Sequence, residues 1–479
     1  MKQATQSRRR FLRSLLSMAG SSAVPFTINL AAMGEAAAQS SGEYKALVCL
    51  YMAGGNDAFN TVLATDDASW TEYIRLRTSD DGNSSIALPR TGTGAVLPIE
   101  PHTSQGRTYA LHPAMEGVKQ LFENSRAAII ANVGTLTHPT DLDQYGRGEN
   151  LPPKLFSHND QQSLWQSNGP EGASLGWGGQ LGDLFMANNG APTFTCISAS
   201  GNAVFLSGSQ VRQFQISTSG MPGITNLSNS LFGVPAASNP LQAVITKQTP
   251  NGNPFENEYA AIVSRAIAAQ QTLSQAMLPT GTGAGQVPAP SLYINPNTLV
   301  AAANPLALQL QTVARIIGGR NALSVKRQVF YVSLGGFDTH DGQKVNQADL
   351  LAKISHAVVY FDSVLQHLDG SDLRNQVTLF TASDFGRTFL SNGDGTDHGW
   401  GSHHFVFGGA VKGKEIYGAF PQTGIGHSLD VGLGALLPTT SVDQYGATLA
   451  TWFGVPTNQL AAVFPNIVNF SQYNLGFMA

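Results

Sequence analysis

Four short polar turns carry the residues of this chain that could hold a cation or move a proton, and each adjoins an apolar run. They are Gly54-Gly55-Asn56-Asp57, Gly335-Gly336-Phe337-Asp338-Thr339-His340-Asp341, Ser383-Asp384-Phe385-Gly386-Arg387 and Asp397-His398-Gly399-Trp400-Gly401-Ser402-His403-His404. Carboxylates combined with neutral imidazoles suit Zn²⁺, Mn²⁺ or a similar divalent ion. Residues two apart in an extended segment face the same side, so Asp338 and His340 are expected to share one ion. Plainer roles stand beside these. Asp57 and Asn60 read equally as caps of a turn, and Asp384 with Arg387 as an ion pair at a strand end. Of His403 and His404, strand alternation turns one inward, as a candidate for the site, and one to the surface. Trp165 and Trp400 read as packing residues, and His112-Pro113 as a turn before a helix.

The elements that must position these turns read as α/β. Ala46–Met52 is a short continuous apolar run stopping at two glycines, as a strand buried on both faces would. Similar runs recur at 127–133, 328–334, 376–381 and 405–410, with helical periodicity at 115–123, 348–367 and 442–453. Alternation of this kind predicts a mostly parallel central sheet with helices on both faces. Ligands in such sheets collect at the carboxyl ends of the strands, which is where the polar turns fall. Between Gly134 and Leu323 the pattern breaks into Ser-, Asn-, Gly- and Thr-rich sequence, with strand-like pieces at 193–197 and 203–206 and a long helix near 257–277. A structureless loop of that length is improbable, so about 134–323 is expected to be an insertion or cap on the sheet.

The N-terminus sets location. Ser7-Arg8-Arg9-Arg10-Phe11-Leu12 matches a twin-arginine export signal, followed by a weakly apolar run and a small-residue cleavage site at Ala36-Ala37-Ala38. Residues 1–38 thus read as a signal peptide and 39–479 as one domain, periplasmic or secreted, with the twin-arginine translocase as partner during export. Cleavage would remove five basic residues and one acidic residue, taking the formal charge from −4 to −8. An acidic surface argues against nucleic acid as a partner. No later segment is apolar enough for a stable membrane span. Cys49 and Cys196 are compatible with one disulfide or with buried thiols. No phosphate-binding glycine loop or nicotinamide or flavin fingerprint is present, so organic cofactors are not expected.

Taken in order, the export signal, Gly54-Gly55-Asn56-Asp57-Ala58-Phe59-Asn60, Ser157-His158 with Trp165 downstream, Gly335 to His340, Ser383 to Thr388 and Asp397 to Trp400 resemble the bacterial twin-arginine-exported family known as domain of unknown function 1501. The resemblance covers nearly the whole mature chain. That family is similar in turn to the alkaline phosphatase and sulfatase superfamily. The resemblance implies an alkaline-phosphatase-like fold holding one or two divalent metals (Zn, Mn, Mg or Ca). It implies Asp57, Asp338, His340, Asp384 and His398 as metal ligands, Ser157 as nucleophile, and Arg387 as an anion clamp. Phe385 stands where the superfamily keeps a His, and Asp338 and His340 are two apart instead of four, so one metal is favoured over two. The implied activity is hydrolysis of an anionic ester, phosphate or sulfate. The alternative is a non-catalytic periplasmic binding or assembly protein on the same scaffold.

Overall fold

Continuous apolar runs fix the architecture, because strands buried on both faces need helices on each side. The computed structural model describes residues 42–78, 85–220, 238–250 and 252–479; the export signal lies outside them. Nine strands form the central sheet: β1 (Lys45–Ala53), β2 (Ala127–Gly134), β3 (Cys196–Ser198), β4 (Phe214–Gln215), β5 (Arg327–Gly335), β6 (Val377–Ser383), β7 (Ser402–Phe407), β8 (Ile416–Tyr417) and β9 (Thr440–Ser441). Their order is β8-β2-β7-β6-β1-β5-β3-β4, with β9 also on β2. Every pairing is parallel except the two made by β7. The expected mostly parallel α/β fold is therefore the one observed.

Side-chain alternation along β1 divides the core. Ala46, Val48, Leu50 and Met52 point into a cluster shared with helices Glu116–Glu123, Pro305–Gly318 and Gln343–Gln366. Leu47, Cys49 and Tyr51 point into the opposite cluster, with helices Trp177–Phe185 and Val442–Phe453 and with Trp165. The helix Val442–Phe453 has the bounds its periodicity predicts, since a Ser441/Gln444 capping box starts it and Gly454, at φ 117°, ends it.

Three local expectations change. The apolar run at 405–410 is strand only to Phe407, and it begins earlier, at Ser402. Residues 203–206 form a 3₁₀ turn, Val204–Leu206, and not a strand. The 134–323 region is not wholly a cap: it supplies β3 and β4 to the sheet and the buried helix Pro305–Gly318 to its core. Both cysteines are free and buried. β5 separates their strands, and two strand spacings of about 4.8 Å exceed disulfide reach.

Candidate metal centre

The antiparallel course of β7 decides what meets at the carboxyl edge. Its first residues, not its last, lie beside the ends of β1, β5 and β6, so the segment preceding it arrives there too. That segment is a hairpin, Arg387–Ser391 paired with Thr396–His398, whose register sets Arg387 opposite His398. Gly54, at φ 117°, lets the turn after β1 pack flat on the turn after β5; a Cβ there would sit 2.4 Å from the Asp338 nitrogen. Gly395 makes the equivalent approach to the His340 carbonyl, where a Cβ would lie at 2.1 Å.

Three imidazoles converge on Asp338. His340 Nε2 lies 3.1 Å and His398 Nε2 3.3 Å from Asp338 Oδ1, with 2.9 Å between the two nitrogens. His158 Nε2 lies 3.4 Å from Asp338 Oδ2. His158, Asp338 and His398 each offer a ligand atom within 4.8 Å of the others. Metal–nitrogen bonds of about 2.0–2.1 Å in tetrahedral geometry place ligand atoms about 3.3 Å apart, close to the 2.9–3.4 Å contacts that His340 and His398 make with each other and that all three rings make with Asp338, while His340 stands outside the set of three that meets within 4.8 Å.

Each ring is tied from behind. His158 Nδ1 meets Asp384 Oδ2 at 2.7 Å, His340 Nδ1 meets Asp397 Oδ1 at 3.2 Å, and His398 Nδ1 meets the Phe156 carbonyl at 2.8 Å. With Nδ1–H donated outward, Nε2 is left facing Asp338, the outer hydrogen-bonding arrangement that orients histidine ligands. Phe156 stands at φ 69°, an unusual conformation for an aromatic residue, and its carbonyl is the one that holds His398. The hydrogen bond to Asp384 raises His158 above its ordinary pKa against the effect of burial. Burial lowers His398. Burial would raise Asp338, but the hydrogen bond and charge of Arg387, together with His158 and His340, bring it below its ordinary value.

The structure thus brings together Asp338, His340 and His398, with Asp384 behind His158. Asp57 is elsewhere. It is buried in an ion pair with Arg77, 2.5 Å from Nη1, and also accepts from Gln343 Nε2 at 2.6 Å and from the Phe59 amide at 3.0 Å. Its oxygens are filled by protein donors, and the amide contact is the capping role read beside the ligand role. Asp384 sits behind the cluster, accepting from the Gly54 amide and from His158.

Arg387 is fully buried and donates to Asp338 Oδ1 at 2.9 Å, the Gly54 carbonyl at 3.1 Å and Thr396 Oγ1 at 3.0 Å. It pairs with Asp338 and not with Asp384, holding a site carboxylate in place of an anion. Ser157 is the N-cap of helix His158–Ser167, and its hydroxyl donates to Asp160 Oδ2 at 2.9 Å. His158 is the contributor that spacing did not mark. Its ring centroid lies 4.8 Å from that of Phe385, so this helix brings an imidazole alongside the turn after β6. Its place in the Ser157-His158 motif was the available signal.

His403 and His404 are both buried, and neither faces solvent or joins the cluster. His403 Nδ1 accepts from the Asn132 amide, and His404 Nδ1 meets Thr381 Oγ1. The sheet is covered on both faces here, so alternation sends each ring into protein. Trp165 and Trp400 are packed in the interior, as expected.

An α/β fold with three tethered imidazoles around an ionised carboxylate defines a protein with a candidate divalent-cation centre at the strand ends. The chain belongs to the family described as a protein of unknown function, DUF1501, which matches residues 44–455. No curated protein matches it. Among solved structures it is similar to a Bacteroides thetaiotaomicron protein of glycosaminoglycan metabolism (TM-score 0.33, 10% identity, 91% of this chain and 77% of that one). It is also similar to a sulfatase from Pseudoalteromonas sp. (0.35, 8%, 90% and 72%). A third is the soluble domain of lipooligosaccharide phosphoethanolamine transferase A from Neisseria meningitidis (0.29, 10%, 87% and 90%). Likeness at this level carries no inference about the site. No helix among the described residues is long and apolar enough to cross a membrane.

Proposed function

We propose that this chain is an exported metal-dependent hydrolase that holds one divalent ion through His158, Asp338, His340 and His398 and acts on an anionic ester, phosphate or sulfate. The observation that carries the reading is the convergence of three Nε2 atoms on one carboxylate, each ring held at Nδ1 by a separate acceptor. Such a donor set suits Zn²⁺ or a similar borderline ion better than Mg²⁺ or Ca²⁺, which prefer all-oxygen shells. A bound ion of this class supplies Lewis-acid charge stabilisation and lowers the pKa of water. Asp57 is spent on Arg77, which favours one ion over two. Ser157, immediately before His158, is the proposed nucleophile, and Arg387 acts through Asp338 by fixing its carboxylate.

The first experiment is elemental mass spectrometry on protein purified without chelator, beside Asp338→Ala/His340→Ala. About one divalent ion per chain, absent from the variant, is expected. The same protein should hydrolyse p-nitrophenyl phosphate or sulfate, with Ser157→Ala inactive but still metal-loaded. Metal at background in both proteins would sink the reading. A second reading, a non-catalytic exported binding or assembly protein, draws support from Arg387, whose buried guanidinium is engaged internally. Stoichiometric metal without turnover of either ester would favour it.

A further inference from the structure

Tyr51 is a polar intrusion on an apolar strand face. Its neighbours on that side of β1 are Leu47 and Cys49, and the residue is fully buried. A buried hydroxyl is costly unless it is paired, so a phenylalanine would serve packing better. Among the described residues, the buried polar atoms without a hydrogen-bond partner include the Tyr51 hydroxyl and Asp384 Oδ1. The parallel register places Tyr51 opposite Ala382. Asp384, two residues beyond Ala382, leaves β6 on the same side. Burial and then the charge of Asp384 push the Tyr51 hydroxyl well above its ordinary pKa, as expected of a phenol facing a carboxylate.

The other oxygen, Asp384 Oδ2, is already committed to the Gly54 amide at 3.2 Å and His158 Nδ1 at 2.7 Å. We infer that Tyr51 is a positioning residue for the metal centre. Its hydroxyl donates to Asp384 Oδ1 and completes a buried Tyr51–Asp384–His158 chain that aims His158 Nε2 at Asp338. Backbone register sets the two side chains on one face. The chain crosses from the sheet interior to the ligand cluster and supplies the second anchor that Asp384 otherwise lacks. The phenol's single proton is the only donor it asks for.

This inference rests on the cation reading, and the test separates the two. Full-length wild type, Tyr51→Phe and Asp384→Asn are compared for Zn²⁺ affinity by competition with a chromophoric chelator, and for the visible spectrum of the Co²⁺-loaded protein. Tyr51→Phe keeps the ring and its packing, and circular dichroism with urea unfolding verifies that the fold is retained. Loss of an outer hydrogen bond to a ligand costs about 10–100-fold in affinity. Tyr51→Phe should therefore weaken Zn²⁺ binding about tenfold and alter the Co²⁺ spectrum, and Asp384→Asn should do more. Wild-type affinity and an unchanged Co²⁺ spectrum in Tyr51→Phe would overturn the inference while leaving the metal centre intact. Failure of the wild type to bind Zn²⁺ at all would overturn the cation reading and the inference with it.

Discussion

Substitution at Asp57 separates two roles that the sequence left open. In the structure Asp57 Oδ2 accepts from Arg77 Nη1 at 2.5 Å and Gln343 Nε2 at 2.6 Å, while Oδ1 accepts from Arg77 Nη2 at 3.1 Å and the Phe59 amide at 3.0 Å. Both partners of the ion pair have fully buried side chains. Arg77 also donates to Asn60 Oδ1 and to the Phe389 and Thr388 carbonyls, so it ties the β1 turn to the hairpin that carries His398. Removing one member of such a pair leaves an uncompensated buried charge, which costs about 3–5 kcal/mol. Arg77→Met should lose that much stability. Asp57→Asn should lose somewhat less, because Arg77 keeps three uncharged acceptors. The double variant should cost less than the two single changes added together, by at least about 1 kcal/mol of coupling. None of Asp57's partners belongs to the metal cluster, so Asp57→Asn should keep its full complement of metal. The assay is urea unfolding of all four proteins, with elemental mass spectrometry on the same samples. Metal lost from Asp57→Asn with stability changed by less than about 1 kcal/mol would refute this reasoning and restore the ligand role.

Other outcomes follow from buried groups. Burial raises Asp443 from 3.8 to about 7, which is worth about 4 kcal/mol. The fold favours its protonated form, so this contribution is fully present below about pH 4 and is lost as pH rises through 7. Asp443→Asn should flatten stability across pH 4–7 in urea titrations. Burial holds His403 and His404 down at about 3. They bind protons more readily unfolded than folded, so stability is full above pH 6.5 and falls as pH drops toward 3. His404→Gln should give a shallower acid unfolding limb by circular dichroism, and an unchanged limb would count against this origin. Gly54→Ala sets a Cβ 2.4 Å from the Asp338 amide at a positive φ. It should destabilise by about 1–3 kcal/mol and weaken metal binding, measured by chelator competition.

The sequence by itself determined the strands β1, β2, β5 and β6, because an apolar run buried on both faces needs no long-range information to be read. It determined the helix Val442–Phe453 to the residue, since a capping box and a glycine mark its ends locally. It also paired Asp338 with His340 by spacing and marked the turns that carry Asp57, Asp384 and His398, because each lies within a few residues of a strand boundary; the ligand roles of those three came from the family resemblance. The remainder depended on contacts far apart in the chain. His158 reaches Asp384 across 226 residues from a region whose polar composition conceals its helices. Asp57 and Arg77 meet because the helix Asp67–Arg77 folds back beneath the β1 turn, and that ion pair uses a carboxylate that the family resemblance implied as a metal ligand and that local pattern read as a cap. The reversed direction of β7 places His398 at the carboxyl edge, and cover on both sheet faces buries His403 and His404 alike. Local periodicity reports which residues are apolar and where an element stops. Which polar group neutralises which is settled only when burial removes water and each charge must find a partner within reach.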